Sequence, residues 1–366
     1  MALAISELNA FTQQEIVPRT TDVIFKQSPL FVRLMNRRAI KIDGGTQIQR
    51  PIQYAKLNGG FFSRGGSFDT AFVQTDTAFL VNWKYAYTNI TLYGTDDVLN
   101  RGRNAAFSQV ESKFSNASMR MAEILAKSMY QDGQAAVGAT GTTGSDPYFS
   151  PATSMDGLLA WVDDGNDYGS GNYPNLTTLN KSFAAVGGIT RSDLFATAPT
   201  FTGASTPVNA VAGANSYVLR ADNSFALLNV QTAFGNAWYG NEYPDLIVCS
   251  MGGFNKFWNN IQALQRYNDE QADVAKTGFR TLRFNGLTEV TVDKYMPNDG
   301  TNGFCLGLNT NYVEFYVSQN PKFQFGFTGF KDDQKTIDLA GQFLWAGNLL
   351  VANPRTCFKI VGTAWL

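Results

Sequence analysis

The residue types that most often carry catalysis are sparse in this chain. Its 366 residues include no histidine, which removes Ser-His-Asp and Cys-His nucleophile pairs, imidazole metal ligands and any histidine acid, base or pH switch. The three cysteines, Cys249, Cys305 and Cys357, stand more than fifty residues apart. No CxxC pattern or close metal-ligand spacing results, and they read as buried, reduced thiols of a cytosolic protein. Gly60-Phe-Phe-Ser-Arg-Gly65-Gly66-Ser67 has the spacing of a phosphate loop, but Gly66 stands where the lysine belongs and no helix signal follows. Asp163-Asp164-Gly165-Asn166-Asp167 resembles a calcium loop in composition only; the fixed ligand positions and the closing glutamate are missing, so a polar turn is expected. Asp96-Asp97, Asp163-Asp164 and Asp332-Asp333 are adjacent in sequence, and neighbours do not converge on one site along a helix or strand. Abundant aromatics with dispersed carboxylates leave one enzymatic alternative, a β-rich carbohydrate-active enzyme that pairs distant acids.

Composition points away from charge-driven binding. Lys plus Arg total 29 against 30 Asp plus Glu, for a net charge of −1, so no global field draws the chain to nucleic acid or an anionic membrane. With 44% hydrophobic and 13% aromatic residues it is expected to fold around a sizeable core. Neither a secretion signal nor an apolar run of about 18 residues is visible. Charge is uneven locally: between Ile16 and Lys56 the basic residues, among them Arg33, Arg37, Arg38 and Arg50, face only Asp22 and Asp43. This positive segment suits acidic neighbouring subunits or packaged nucleic acid, or is simply solvated.

The elements that must position these residues follow from periodicity. Thr77, Phe79, Val81, Trp83, Tyr85 and Tyr87 alternate with smaller or polar residues at the period of a strand, giving one almost purely aromatic face. Ile48, Ile52 and Tyr54 share a face of a second arm, and the Asn58 to Gly66 connection is glycine-rich, so a projecting two-stranded ribbon is predicted. Such a ribbon is marginal alone and needs a covering surface. Phe107, Val110, Phe114, Ala117, Met121 and Ile124 recur by threes and fours, predicting one long amphipathic helix over 104–131, with Asn104 as cap and Lys127 near its end. Beyond a small-residue loop, 223–239 and 253–267 read as helices, Asp245 to Cys249 as a buried strand, and Leu282 to Tyr295 as strands about an Asn285-Gly286 turn. From Asn311 onward the chain is strand-like.

In this order a basic arm, a ribbon, a long helix and a mixed lobe resemble the major capsid proteins of tailed bacteriophages, the HK-ninety-seven-like fold. The residues carrying the resemblance are Asp156-Gly157-Leu158-Leu159-Ala160-Trp161-Val162-Asp163-Asp164-Gly165 and Gly187-Gly188-Ile189-Thr190-Arg191-Ser192 after the helix. Tyr243-Pro244-Asp245-Leu246-Ile247-Val248-Cys249-Ser250 and Gly278-Phe-Arg-Thr-Leu-Arg-Phe-Asn285-Gly286 follow in the second lobe. The resemblance covers nearly the whole chain, and its motifs are packing motifs without a catalytic signature. It implies an α+β capsid fold divided into an N-terminal arm (1–44), an extended β-ribbon loop (45–93), a peripheral domain with a spine helix (94–149), an axial domain (150–310) and return strands to the peripheral domain (311–366).

What the resemblance implies for function is a non-enzymatic shell subunit with no cofactor or metal. It would assemble with itself into hexamers and pentamers around double-stranded DNA in the bacterial host cytoplasm, away from any membrane. A separate scaffolding protein, a portal and a decoration protein would be partners, and DNA contact would be weak and non-specific. Phe61, Phe62, Arg64, Phe68, Phe79, Trp83, Tyr85 and Tyr87 are the expected ribbon-interface residues, with Arg37 and Arg38 as arm contacts. Phe107, Val110, Phe114, Met121 and Ile124 are the expected packing stripe of the spine helix. An encapsulin-type shell holding enzyme cargo shares this fold and is the nearest alternative.

Overall fold

The computed structural model describes residues 28–54, 57–92, 109–130, 153–163, 185–190, 216–221, 227–262, 282–285, 288–296, 302–332 and 339–364. Its first element, helix α1 (Pro29–Arg38), starts where local chemistry directs it. Pro29 suits the first helical turn, and the Ser28 hydroxyl accepts a hydrogen bond from the Phe31 amide at 3.3 Å. Leu30, Phe31 and Leu34 lie on one face and are buried, so this helix belongs to the core. Strand β1 (Ala39–Ile42) follows and pairs in parallel with β12 (Val313–Ser318). Residues 28–42, read from sequence as part of an arm, are thus built into the fold, because their apolar spacing gives them a face to bury.

The first sheet is organised by its longest strand, β15 (Leu339–Val351). Along one edge β15 pairs antiparallel with β12, β13 (Gln324–Phe327) and β14 (Lys331–Asp332) in turn. Along the other it pairs over nine registered residues with β4 (Lys84–Leu92). Helix α2 (Gln109–Ser128) packs on this sheet; its 20 residues span about 30 Å. Glu111 in its first turn and Lys127 in its last complement the helix dipole. The short helix α3 (Leu158–Trp161) is wholly buried beside it.

A second sheet runs β7-β16-β11-β8-β10-β9, formed by Tyr217–Ala221, Phe358–Ala364, Asn302–Leu308, Leu246–Cys249, Thr288–Val292 and Leu282–Phe284. Helices α4 (Leu227–Ala237) and α5 (Met251–Gln262) bury Val230, Phe234 and Phe257 with Ile247, Val290 and Ile360 of the sheet in a core of its own. The described parts of the helices and strands expected in this lobe are present, 223–226 and 263–267 lying outside the described residues, and Asn285 adopts φ +48° at the turn between β9 and β10. The chain's last strand differs from the expectation for 311–366. β16 lies between β7 and β11 in the second sheet, while only β12 to β15 lie in the first. Two hairpin-like strands, β5 (Ala185–Val186) and β6 (Ile189–Thr190), complete the described elements with β2 (Gln47–Gln53) and β3 (Asp76–Asn82).

Polar links join the lobes. Arg33 of α1 reaches Asp245 and Glu289 at the rim of the second sheet, both at 3.1 Å. The buried Asp293 carboxylate accepts from the Ser28 hydroxyl, and from the Tyr130 hydroxyl at 2.8 Å. Burial, reinforced by that carboxylate, pushes the Tyr130 phenol well above its usual range. Deeper still, Lys359 of β16 donates to Asp163 at 2.7 Å, with each side chain only 2% exposed. All three cysteines are free and buried; Cys249 and Cys305 face each other across β8 and β11, and burial drives the Cys357 thiol up to about 12.

Lys359→Ala is expected to destabilise the protein by about 3–5 kcal/mol, because it strands a carboxylate in the interior. Replacing both partners with apolar residues, as in K359M/D163L, is expected to recover most of that loss in chemical denaturation. A single substitution that leaves the denaturation midpoint unmoved would show the pair to be hydrated.

Candidate functional site

Among the described residues no cluster of His, Cys, Asp and Glu could hold a metal ion. No described helix is long and apolar enough to cross a membrane. The features left to explain are a projecting ribbon and an uncovered aromatic surface.

The ribbon is β2 paired antiparallel with β3, in register from Gln47 opposite Asn82 to Gln53 opposite Asp76. Seven residues at about 3.3 Å each give a blade of about 23 Å. Its base is anchored by Phe79, Val81 and Ile48, all buried. Phe79 meets Trp161 edge-on at 5.4 Å, and the Leu80 amide donates to the Gly187 carbonyl at 2.8 Å. Gly187 has φ +55°, and a Cβ there would stand 2.6 Å from the Phe79 ring, so glycine is required twice over. The Gly187 and Trp161 motifs that carried the family resemblance are therefore the socket that grips the ribbon. Arg50 of β2 adds an ion pair to the nearly buried Glu314 at 3.0 Å, and Tyr316 donates its hydroxyl to the same carboxylate. Burial and that carboxylate together raise the Tyr316 phenol well above its ordinary value.

Past Tyr54, whose amide still donates to the Thr75 carbonyl at 3.0 Å, residues 57–75 form a tip closed by its own polar contacts. Asn58 donates to Asp69 at 2.9 Å, and the Ala71 amide donates to the same carboxylate at 3.0 Å. Gly65, at φ +85°, occupies the third position of the Ser63–Gly66 turn, whose amide-to-carbonyl bond is 2.8 Å; this is the type II geometry that favours glycine there. The rings of the tip face outward. Phe61 is fully exposed, Phe72 is 93% exposed, and Phe62 and Phe68 touch each other at 5.0 Å yet each remains 68% exposed. Arg64 is exposed in the turn. Leu57 and Phe72 belong to this apolar set and were not singled out from sequence, since neither lies on a periodic face; their closeness to the glycine-rich stretch was the available signal.

The aromatic run expected as a single face divides at Trp83. Before it, Phe79 and Val81 point into the core; at it, the indole donates to the Gly45 carbonyl at 2.9 Å. After it the chain enters the first sheet as β4, and the residues turned inward are now Lys84, Ala86, Thr88 and Ile90, leaving Tyr85 and Tyr87 exposed at 66% and 55%. The ribbon pairing thus ends at Asn82, and 84–92 is sheet rather than projecting loop. β4 leaves the β2 partner because the nine-residue ladder with β15 offers more pairing and burial than a longer two-stranded blade.

Tyr85 and Tyr87 border a groove. Phe323 lies 6.3 Å from Tyr85, and a cavity of about 240 Å³ is lined by these three with Gln342, Leu344 and Trp345. A neighbouring cavity of about 330 Å³ opens between β4 and α2, where Ile124 and Leu125 meet Lys84, Met155 and Trp345. Of the helix stripe, Phe114 packs among Phe327, Phe330 and Phe343 at 4.6–5.8 Å, Met121 is fully buried and Ile124 is half-buried. Phe107 lies outside the described residues. Val110 is in the first turn of α2 and Arg37 and Arg38 in the last turn of α1, but the structure describes only their backbone.

At the end of the groove Asp156 is buried. Asn348 donates to it at 2.9 Å, and the Lys84 amine stands 4.0 Å away. Desolvation outweighs both partners and lifts the Asp156 carboxyl to about 6. Asn348 also donates to the Asn82 carbonyl at 2.8 Å, and its own carbonyl accepts from the Asp156 amide, tying the ribbon's last residue to the first sheet.

No family model and no curated protein matches this chain. Solved structures do match over nearly its full length. The cyanophage A-1(L) capsid asymmetric unit superposes with a TM-score of 0.62 at 13% identity, covering 96% of this chain and 97% of that one. A subunit of the capsid of a native GTA particle gives 0.56 at 11% identity over 100% and 99% of the two chains. The holo-SrpI encapsulin complex from Synechococcus elongatus PCC 7942 gives 0.51 at 8% identity over 98% and 94%. The fold of this chain is that of these phage capsid and encapsulin shell proteins.

Two measurements check this division of the site. Phe79→Ala is expected to destabilise the subunit by about 3–5 kcal/mol in chemical denaturation, whereas Phe61→Ala at the tip should stay within about 0.5 kcal/mol. Asp156 binds its proton more tightly folded than unfolded, so its contribution is fully present below about pH 4 and is lost as pH rises to about 6. Asp156→Asn is expected to remove that slope, worth on the order of 3 kcal/mol, from a pH series of unfolding free energies; an unchanged slope would count against the burial of this carboxylate.

Proposed function

We propose that this chain is the structural subunit of a bacteriophage head, assembling with itself into hexamers and pentamers that close an icosahedral shell around double-stranded DNA. The observation that supports this most directly is a ribbon held at its base and covered at its tip by none of the described residues, on a fold shared with phage capsid proteins end to end. A monomer gains nothing by projecting four exposed phenylalanines into water; a subunit that lies on its neighbour does.

On this reading the chain performs no reaction and needs no cofactor. Its work is done by one interface repeated many times, each apolar contact contributing roughly 25 cal/mol per Å² removed from water. Residues 45–82 supply the extended loop, α2 is the spine of the peripheral domain, and the second sheet with α4 and α5 is the axial domain. Arg64 at the tip, with Arg37 and Arg38, supplies salt bridges between subunits. A scaffolding protein, a portal and a decoration protein complete the particle, which is assembled in the host cytoplasm and contacts its DNA only weakly. The likeness to an encapsulin sustains a second reading, a shell around enzyme cargo; co-purifying cargo protein in place of DNA would favour it.

The test pairs electron microscopy with sedimentation of the protein produced alongside its neighbouring genes. Uniform icosahedral shells, or five- and six-membered rings, are expected. Deletion of Asn58 to Phe68 is expected to leave a folded subunit by circular dichroism that sediments as a monomer. Monomers only from the intact protein, with a scaffold present, would overturn the proposal; normal shells from the deletion would refute the ribbon as an assembly element.

A further inference from the structure

Two cavities meet at β4. The larger, about 330 Å³, lies between β4 and α2; the smaller, about 240 Å³, lies beside Phe323, and Tyr85, Ala86, Tyr87 and Trp345 line both. We infer that the larger is a binding site for a small monocarboxylate with an apolar body, its carboxylate held by the Lys84 amine and the Trp345 indole N–H. Every group involved belongs to one chain, so the site does not depend on the shell reading above.

Sheet register puts the two donors side by side. Trp345 stands opposite Ala86 and Gly347 opposite Lys84, so all four residues share one face of the sheet. Gly347 gives the indole its room, since a Cβ there would come within 2.6 Å of the ring, and Phe315 stacks on that ring at 5.6 Å. The indole is thereby fixed. Trp345 is only 1% exposed, and its buried N–H meets no acceptor among the described residues. Buried indole N–H groups ordinarily find one, and even the more exposed Trp83 and Trp238 donate to the Gly45 and Gly240 carbonyls at 2.9 and 2.8 Å. A ligand oxygen in the cavity would satisfy the Trp345 donor.

The lining sets the class of ligand. Ile124, Leu125, Met155 and the two tyrosines suit an aliphatic or aromatic body, and about 330 Å³ falls at the small end of the roughly 300–1,000 Å³ typical of ligand sites. Among the described residues that line this cavity, Lys84 alone is charged. Its amine stands 4.0 Å from Asp156, beyond hydrogen-bond distance, and an ammonium has three protons to give, so it can also hold an anion from the cavity side. From α2, Glu123 pairs with Lys127 at 2.9 Å, and neither lines the cavity. Asp156, behind the amine and bonded to Asn348 of β15, opposes an anion while it is ionised. Its carboxyl titrates at about 6, so a carboxylate ligand is held more tightly below that pH.

The experiment titrates the full-length chain, labelled with 5-fluorotryptophan, with 4-phenylbutyrate, 4-phenylbutan-1-ol and 4-phenylbutylamine, by ¹⁹F NMR and calorimetry at pH 7.5 and 5.5. Trp345→Phe assigns the Trp345 resonance. The carboxylate is expected to shift that resonance saturably, one molecule per chain, with a dissociation constant below about 1 mM. The alcohol should bind at least about fivefold more weakly and the amine more weakly still, and the carboxylate should gain at least about twofold at pH 5.5. Trp345→Phe keeps a ring and deletes the N–H; it is expected to weaken the carboxylate at least about threefold by calorimetry. Asp156→Asn should abolish the pH dependence, and K84M/D156N, which strands no charge, should lose at least about tenfold against Asp156→Asn alone. Equal binding of the three probes, an unmoved Trp345 resonance, affinity that does not rise at pH 5.5, or indifference to either Trp345→Phe or K84M/D156N would overturn the site. Should the double variant fail to fold, the ranking of the probes and the Trp345 shift in the unaltered chain decide the matter.

Discussion

A two-stranded ribbon has two faces and no interior, and most of the first lobe is arranged around that constraint. Its paired strands cannot bury enough surface to hold themselves, so the base is clamped from every available side. Phe79 enters a socket of Trp161 and Gly187, Val81 and Ile48 join the core, Arg50 reaches Glu314, and Asn348 holds the Asn82 carbonyl. The clamp draws on four separate stretches of chain, of which those holding Trp161 and Glu314 pack on β15 and Asn348 belongs to it. The rigidity of the blade is borrowed from the sheet behind it, and its tip can stay exposed without destabilising the subunit.

The two lobes are coupled by polar groups in addition to apolar packing. Arg33, Ser28 and Tyr130 engage Asp245, Glu289 and Asp293, and Lys359 meets Asp163 in the buried interior. Such contacts add little net stability, since desolvation offsets most of the attraction, but they are intolerant of misplacement. Asp156 illustrates the balance: an amine and an amide stand beside it, and burial still prevails, leaving a carboxyl that holds its proton at mildly acidic pH.

Several elements were legible from local pattern because their signal is local. The alternation at Ile48, Ile52 and Tyr54, the three-four spacing through Phe114 and Met121, the buried Leu246 to Cys249 strand and the Asn285 turn each reflect a periodicity or a turn preference readable within a dozen residues. The segment 28–42 carries such a signal at Leu30, Phe31 and Leu34, alongside its positive charge. Two charges of the basic stretch are answered within the fold, because Arg33 and Arg50 find Asp245, Glu289 and Glu314 more than two hundred residues away. The break at Trp83 was not legible, since the alternation runs through it without interruption; only the competing offer of β15 turns Tyr85 and Tyr87 outward while Phe79 points in.

By itself the sequence determined what kind of chemistry is absent and what kind of surface is present. Without histidine, no histidine-dependent catalytic arrangement can form, and a glycine-rich tip studded with phenylalanine had to be exposed or covered by something. The ordered succession of ribbon, long helix and mixed lobe was enough to suggest the shared fold. Tertiary structure alone decided which aromatics anchor and which remain open, which acids answer the basic segment, and where β16 returns. These outcomes depend on pairings between residues far apart in the chain. Their free energies are set by burial and register in three dimensions, and no local periodicity records them.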